Sequence, residues 1–181
     1  MRFRVVLDSD GLIKLAKADI LEIVIKVWDC LVPRAVYVET VERGIRAAYP
    51  DALAIREVLQ PQSVRPMVRH PRATLLLQQE RTLGRGEQEA LHLFFRARAH
   101  TIISDDAAFI TVLDQAGVPY LPPALVLLEL AHHQQVEPRA ALKALERMRA
   151  LIRPEIYRMT RSHLEAFPPR KPKRSSGGES S

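Results

Sequence analysis

The sequence predicts an α/β fold with a mainly parallel central sheet that is covered by helices on both faces. Short apolar strand patterns alternate with helical patterns along the chain, which is typical of such sheets. The first strand pattern is apolar and ends in an acid, since Val5, Val6 and Leu7 lead directly to Asp8. Of the 181 residues, 47% are hydrophobic, which is enough for a sizeable core.

Hydrophobic periodicity and turn residues define the predicted elements in order. Strands are predicted over residues 2–7, 30–32, 64–68, 100–104 and 118–121. Helices are predicted over residues 12–27 (as two short helices), 34–46, 50–59, 87–99, 107–115, 122–135, 136–152 and 155–165. We expect Ser9 to cap the first helix and Pro33 to lie at the first turn of the helix after the second strand. Gly117 is expected to end the helix predicted over residues 107–115.

The chain divides into three predicted regions. Residues 1–135 carry the alternating strands and helices, and residues 136–167 form a C-terminal helical extension. After Phe167 the composition shifts to Pro, Lys, Arg, Ser and Gly, so residues 168–181 are predicted to be a disordered basic tail.

Composition narrows the class of protein. The net charge is +6, and residues 168–181 contribute half of it, because they hold four basic residues and one acidic residue. Such a charge is compatible with a phosphate-rich partner. The single cysteine, Cys30, cannot form an internal disulfide, which favours a reducing compartment. No secretory signal and no apolar run of about 18 residues is visible, so we expect a soluble, cytoplasmic protein without a membrane span.

Acidic side chains follow two of the predicted strands. Asp8 ends the first strand, and Asp105 and Asp106 follow the strand at residues 100–104. Taken singly, each of these aspartates is better explained as a helix N-cap or a first-turn acid. In parallel sheets, however, ligands bind at the carboxyl ends of the strands, and carboxylates held together there favour Mg²⁺ or Mn²⁺. Which of Asp105 and Asp106 faces such an ion is left open.

Two glutamates complete the predicted cluster. Glu39 lies on the helix after Pro33, in an otherwise apolar stretch, and Glu87 follows Gly86 at the start of a helix. Glu42, one turn from Glu39, and Glu89 are the nearest alternatives. We expect Glu89 to point away from Glu87, because residues i and i+2 do not share a helix face.

Four segments resemble the PIN domain, the nuclease fold of VapC-type toxins. Residues 5–9 resemble its first strand with Asp-Ser, and residues 32–39 its proline and glutamate-bearing helix. Residues 86–91 resemble its Gly-Glu helix start, and residues 102–106 its last strand with Ser and an Asp pair. The order and spacing match over about residues 1–135, and the resemblance implies that this region is a PIN-like nuclease domain with a three-layer α/β/α sandwich.

The resemblance implies a metal-dependent endoribonuclease that hydrolyses RNA phosphodiester bonds with Mg²⁺ or Mn²⁺. The ion would activate a water and neutralise charge on the phosphate. The implied catalytic acids are Asp8, Glu39, Glu87 and Asp106. The implied metal ligands are Asp8, Asp105, Asp106 and Glu87. Ser9 and Ser104 are implied to support the acids, and the arginines that could hold RNA phosphates are Arg81 and Arg85, with Arg96 and Arg98 further along.

Partners and rival functions follow from the same residues. A toxin would have an antitoxin protein and often forms a homodimer. Asp8-Ser9-Asp10-Gly11 also fits the start of haloacid-dehalogenase-like phosphatases. Leu12 is unusual for that family, and no lysine occurs between Lys26 and Asp105, where its conserved lysine would be expected. A catalytically inactive PIN-fold binding subunit is the second alternative.

Overall fold

A five-stranded, all-parallel sheet forms the centre of the protein. The computed structural model describes residues 2–78 and 82–168, and within them the strand order is β3-β2-β1-β4-β5. The strands are β1 (Arg4–Leu7), β2 (Asp29–Pro33), β3 (Val64–Arg65), β4 (Thr101–Ile103) and β5 (Tyr120–Leu121). All five lie within the predicted strand positions to within a few residues, so the predicted mainly parallel α/β fold is confirmed.

Helices fill the connections between the strands. They are α1 (Ser9–Lys17), α2 (Leu21–Val27), α3 (Arg34–Tyr37), a π-helical segment (Val38–Arg43), α4 (Gly44–Arg46), α5 (Pro50–Val58), α6 (Pro71–Leu77), α7 (Arg85–Ala97), α8 (Ala107–Ala116), α9 (Pro123–His132), α10 (Pro138–Met148) and α11 (Pro154–Glu165). Short 3₁₀ turns occupy Pro61–Ser63 and Arg149–Leu151. Helix α6 was not predicted from the sequence, although Pro71 at its first position is a usual helix-start signal.

Two hydrophobic cores cover the two faces of the sheet. Successive strand side chains point to opposite faces. Val5 and Leu7 therefore pack under α1, α2, α5 and the C-terminal helices, while Val6 and Ile102 pack under α6, α7 and α8. This is the predicted three-layer α/β/α arrangement.

The helices after residue 135 share the first of these cores. Leu145 and Met148 of α10 are fully buried in the same cluster as Val5 and Leu7. The predicted boundary at residue 135 stays a prediction. The predicted tail, apart from Pro168, lies outside the described residues. None of the helices in the described ranges is long and apolar enough to cross a membrane.

Strand register determines where the acids lie. Leu7 is paired with Ile103 in the parallel ladder between β1 and β4, so both strands end at the same edge of the sheet. The backbone N–H of Asp8 continues the pairing by donating to the carbonyl of Ile103 over 3.3 Å. Asp8 and Ser104 therefore lie side by side, as expected if the two strands are parallel.

Candidate active site

An acid-lined cleft of about 250 Å³ lies at this edge of the sheet. Two larger cavities in the described part of the chain lie elsewhere, one between α10 and α11 and one beside the opposite ends of β1 and β2. Neither brings several carboxylates together, so the smaller cleft is the one with a chemically distinctive lining. Its lining residues are Asp8, Ser9, Asp10, Glu39, Gly84, Arg85, Gly86, Glu87 and Asp106.

Asp8 is the most buried acid of the cleft, at 2% exposure. Its Oδ1 accepts a hydrogen bond of 2.6 Å from the N–H of Gly11, so Asp8 and not Ser9 is the N-cap of α1, and the predicted Ser9 cap is wrong. Burial raises the pKa of Asp8 to about 7, against hydrogen bonds from Ser104 and Gly11. A Cβ on Gly11 would lie 2.4 Å from the carbonyl oxygen of Ile103, so this close approach of α1 to β4 requires glycine.

The two neighbouring aspartates after β4 have different surroundings. Asp106 lines the cleft and caps α8, with its Oδ1 accepting from the N–H of Phe109 over 2.8 Å. Its own N–H donates to Ser104 Oγ over 3.3 Å. Asp105 does not line the cleft, because its Oδ1 is bound by Lys14 Nζ at 2.5 Å. The structure thus distinguishes the two aspartates, because Asp106 lines the cleft and Asp105 does not.

Lys14 bridges two acids at the side of the cleft. Its Nζ lies 2.6 Å from Asp10 Oδ2 as well as bonding Asp105, and its side chain is 12% exposed. Burial works against the charge of Lys14, but these two carboxylates outweigh it and raise its pKa. Burial and a hydrogen bond with Asp10 raise the pKa of Asp105 to about 6, although Lys14 opposes the shift. Lys14 was not among the residues predicted from the sequence; its i,i+4 spacing from Asp10 on α1 was the available signal.

Glu39 and Glu87 reach the cleft from the opposite side. Glu39 lies in the π-helical segment, and its Oε2 accepts from Ser9 Oγ over 2.9 Å. Glu87 Oε2 accepts from the N–H of Gly84 over 2.5 Å at the start of α7. Burial raises the pKa of Glu87, and the charges of Asp106 and Glu39 raise it further. All four predicted catalytic acids therefore line one cleft.

A family model, DUF3368, described as a PIN domain, matches residues 4–165. This chain belongs to the PIN-domain family. PIN domains are generally nucleases, and they typically use divalent metals. The match includes every residue of the cleft lining and continues through α10 and α11. No curated protein and no solved structure was found to match the chain.

The alternative acids have structural partners in this PIN domain. Glu42 is bound by Arg34, with Nη2 and Oε1 2.6 Å apart. Glu89 is 4% exposed; its Oε2 accepts from the N–H of Ala35 over 2.8 Å, and its Oε1 accepts from Arg85 Nε over 3.0 Å. Neither acid lines the cleft, and Glu89 instead joins α7 to the start of α3.

The predicted RNA-binding arginines are divided by the structure. Arg85 lines the cleft at the start of α7. Arg81 lies outside the described residues. Arg96 is exposed near the far end of the same helix, and Arg98 follows that helix as its C-cap.

The donor set of the cleft fits a divalent cation by chemistry and by location. Carboxylate oxygens are the ligands that Mg²⁺ and Mn²⁺ prefer. Burial is the main cause of the raised pKa values of Asp8 and Glu87, and neighbouring carboxylates add to it; a bound cation would favour the charged form of both groups. Over residues 2–78 and 82–168, however, no three His, Cys, Asp or Glu side chains stand close enough together to hold a metal ion as they are. The cleft therefore has the right type of residues for a divalent cation, but its carboxylates are not spaced to hold one as they stand.

Proposed function

We propose that this PIN domain is a divalent-metal-dependent endoribonuclease that hydrolyses RNA phosphodiester bonds. The observation that carries the proposal is the cleft in which Asp8, Glu39, Glu87 and Asp106 line the carboxyl edge of a parallel sheet. Ligands of α/β sheets bind at this edge. Because PIN domains are generally nucleases, hydrolysis of a phosphodiester bond is the chemistry that we propose for this acid cluster.

In this proposal Asp8, Asp106 and Glu87 hold one or two Mg²⁺ or Mn²⁺ ions. When bound, the metal lowers the pKa of a coordinated water and neutralises charge on the phosphate oxygens. Ser104 and the N–H of Gly11 keep the Asp8 carboxylate in place. Asp105 belongs to the proposed metal ligands only if it leaves Lys14.

Glu39 is the proposed group that accepts the proton of the attacking water, and Glu87 is the alternative acceptor where it does not bind the metal directly. Burial raises the pKa of Glu87 in the metal-free protein, so its carboxylate is a stronger base there than an ordinary one. Ser9 orients Glu39 through its hydroxyl. Arg85, at the rim of the cleft, is in position to bind a phosphate.

Adjacent aspartates provide a matched test of the metal site. Mn²⁺ binding to the wild type, Asp106→Asn and Asp105→Asn should be compared by titration calorimetry. Asparagine is a good N-cap, so Asp106→Asn is expected to stay folded while its affinity for Mn²⁺ falls by about tenfold or more. Asp105→Asn should bind Mn²⁺ much as the wild type does. Equal losses in the two variants would contradict the placement of the metal beside Asp106.

Cleavage of a labelled single-stranded RNA tests the reaction. The wild type should cut it internally with Mn²⁺ and stop when EDTA is added, and Asp106→Asn should lose about a hundredfold or more in rate. Hydrolysis of small phosphate monoesters without RNA cleavage would favour the phosphatase alternative. Absence of both Mn²⁺ binding and cleavage would favour the inactive binding subunit.

A toxin role is the finer form of the proposal. It rests on the resemblance of the four acid-bearing segments to VapC-type toxins and adds an antitoxin protein, a homodimer and a cytoplasmic location. Induced expression in bacteria should arrest growth, and Asp106→Asn should not. Normal growth with active, soluble wild-type protein would count against a toxin.

A further inference from the structure

A ribbon of arginines runs beside α7, away from the acid-lined cleft. We define the arginine ribbon as Arg65 at the end of β3, Arg69 in the loop that follows and Arg72 in α6, together with Arg96 of α7. Between residues 58 and 79 the sequence contains these three arginines and no Asp, Glu or Lys. The proposed catalytic chemistry uses none of the four.

Tertiary contacts hold this segment against α7. The backbone N–H of His70 donates to Nδ1 of the buried His92 over 2.9 Å. The His70 ring stacks on Phe95 with centroids 5.5 Å apart, and the Arg72 guanidinium lies 4.8 Å from the centroid of the same ring. Arg69 lies close enough to His92 to help lower its pKa, after burial. These contacts give the ribbon a defined position against α7.

The positive charge of the ribbon has no ion-pair partner among residues 2–78 and 82–168. Glu89 is the acid that lines the adjoining shallow pocket, but it is 4% exposed and both of its oxygens are already bonded. Concentrated cations of this kind attract a polyanion.

The ribbon and the cleft lie along the same helix, α7. Arg85 lines the cleft and bonds Glu89, and Glu89 lines the shallow pocket that also contains Arg65 and Arg96. Arg96 is eleven residues after Arg85, which corresponds to about 16 Å along the helix axis. A chain bound in the cleft would thus reach the ribbon within a few nucleotides.

Exposed apolar side chains lie within the same surface. Met67 and Val68 line the shallow pocket and are 42% and 40% exposed. Apolar side chains between phosphate-binding arginines suit single strands, because only unpaired bases offer their faces for contact.

We infer that the arginine ribbon binds the single-stranded RNA that flanks the cleavage site, with arginines on phosphates and Met67 and Val68 against bases. The inference rests on the proposed ribonuclease function. Its electrostatic reason is that the metal-free cleft is lined by five acids, of which Asp10 is paired with Lys14, and their negative charge repels a polyanion. Positive charge beside the cleft, which the ribbon supplies, offsets that repulsion.

Binding without metal tests the inference separately from cleavage. A fluorescent single-stranded RNA of about twelve nucleotides should be titrated in EDTA with the wild type and with Arg65→Ala/Arg96→Ala. We expect binding to weaken by about tenfold and the slope of log affinity against log salt to become shallower by about 1.4, at about 0.7 for each lost phosphate contact. The matched control, Arg139→Ala/Arg158→Ala on α10 and α11, removes the same charge far from the cleft and should bind as the wild type does.

Two further measurements make the result specific. Arg65→Lys/Arg96→Lys keeps the charge and should recover most of the affinity and the salt slope, which a folding defect would not allow. With Mn²⁺, Arg65→Ala/Arg96→Ala should raise KM for the long RNA and leave cleavage of a dinucleotide unchanged. Because binding is measured in EDTA, an absence of cleavage would count against the proposed function alone. Wild-type RNA affinity in Arg65→Ala/Arg96→Ala would overturn the inference and point to a protein partner for this surface.

Discussion

Replacing Asp8 by asparagine should make the metal-free protein more stable at neutral pH while abolishing its proposed activity. The carboxyl is 2% exposed, and burial raises its pKa from 3.8 to about 7. The folded state therefore penalises the charged form of Asp8. Asparagine has nearly the same shape, keeps an oxygen for the N–H of Gly11, and resembles the protonated carboxyl.

The size and sign of the effect follow from linkage. An acid whose pKa is raised in the folded state costs no stability below its unfolded pKa of 3.8, and the cost grows with pH until it is complete above about 7. At about 1.4 kcal/mol per pH unit, this amounts to about 4 kcal/mol near pH 8 and about 2 kcal/mol near pH 5. The free energy of unfolding of the Asp8→Asn variant should exceed that of the wild type by these amounts.

Urea unfolding of both proteins in EDTA at the two pH values measures the difference directly. Asp114→Asn, at an exposed position on α8, is the control and should leave the pH profile unchanged. Mn²⁺ at a hundred times its dissociation constant should then stabilise the wild type by about 2.7 kcal/mol and Asp8→Asn by far less. The reasoning is refuted if Asp8→Asn is no more stable than the wild type near pH 8, or if its advantage fails to shrink towards pH 5.

Two further pairs of substitutions test how the cleft is supported. Gly11→Ala should destabilise the protein by about 3 kcal/mol or more, because the new Cβ would lie 2.4 Å from the Ile103 carbonyl oxygen. In Gly84→Ala the nearest atom would be 3.4 Å away, so a loss of less than about 1 kcal/mol in urea unfolding is expected. Glu89→Ala should cost about 2 kcal/mol because it leaves the N–H of Ala35 without its acceptor, and Glu89→Gln should cost less. Equal free energies of unfolding for Gly11→Ala and Gly84→Ala would contradict the close contact at Gly11. Equal values for Glu89→Ala and Glu89→Gln would contradict the role of the Glu89 hydrogen bond.

Local patterns account for the part of the fold that could be predicted. Burial of Val5, Val6 and Leu7 needs an apolar run, and a parallel sheet needs helical connections between its strands, so both leave periodic traces in the sequence. The missed helix α6 had weaker traces. It is only seven residues long, and just one of them, Ala73, is buried. Its position depends on the contacts of His70 and Arg72 with α7.

The acids of the candidate site could be predicted from the sequence, but their contacts with other side chains could not. Motif order identified Asp8, Glu39, Glu87 and Asp106, and the structure brings all four to one cleft, although their proposed roles stay predictions. The choice between the neighbouring aspartates depended on Lys14, which is ninety-one residues before Asp105 and reaches it only in the folded chain.

The sequence by itself determined the α/β class, the order of the strands along the chain and the acids that follow them, because periodicity and capping act over a few residues. Tertiary structure alone decided which acids share the cleft, that Asp8 rather than Ser9 caps α1, and that arginines line the side of α7. Those features depend on contacts between segments that are far apart in the chain, such as Ser9 with Glu39 and His70 with His92. Such contacts form only when the sheet register and helix packing bring the segments together, and no local pattern encodes them.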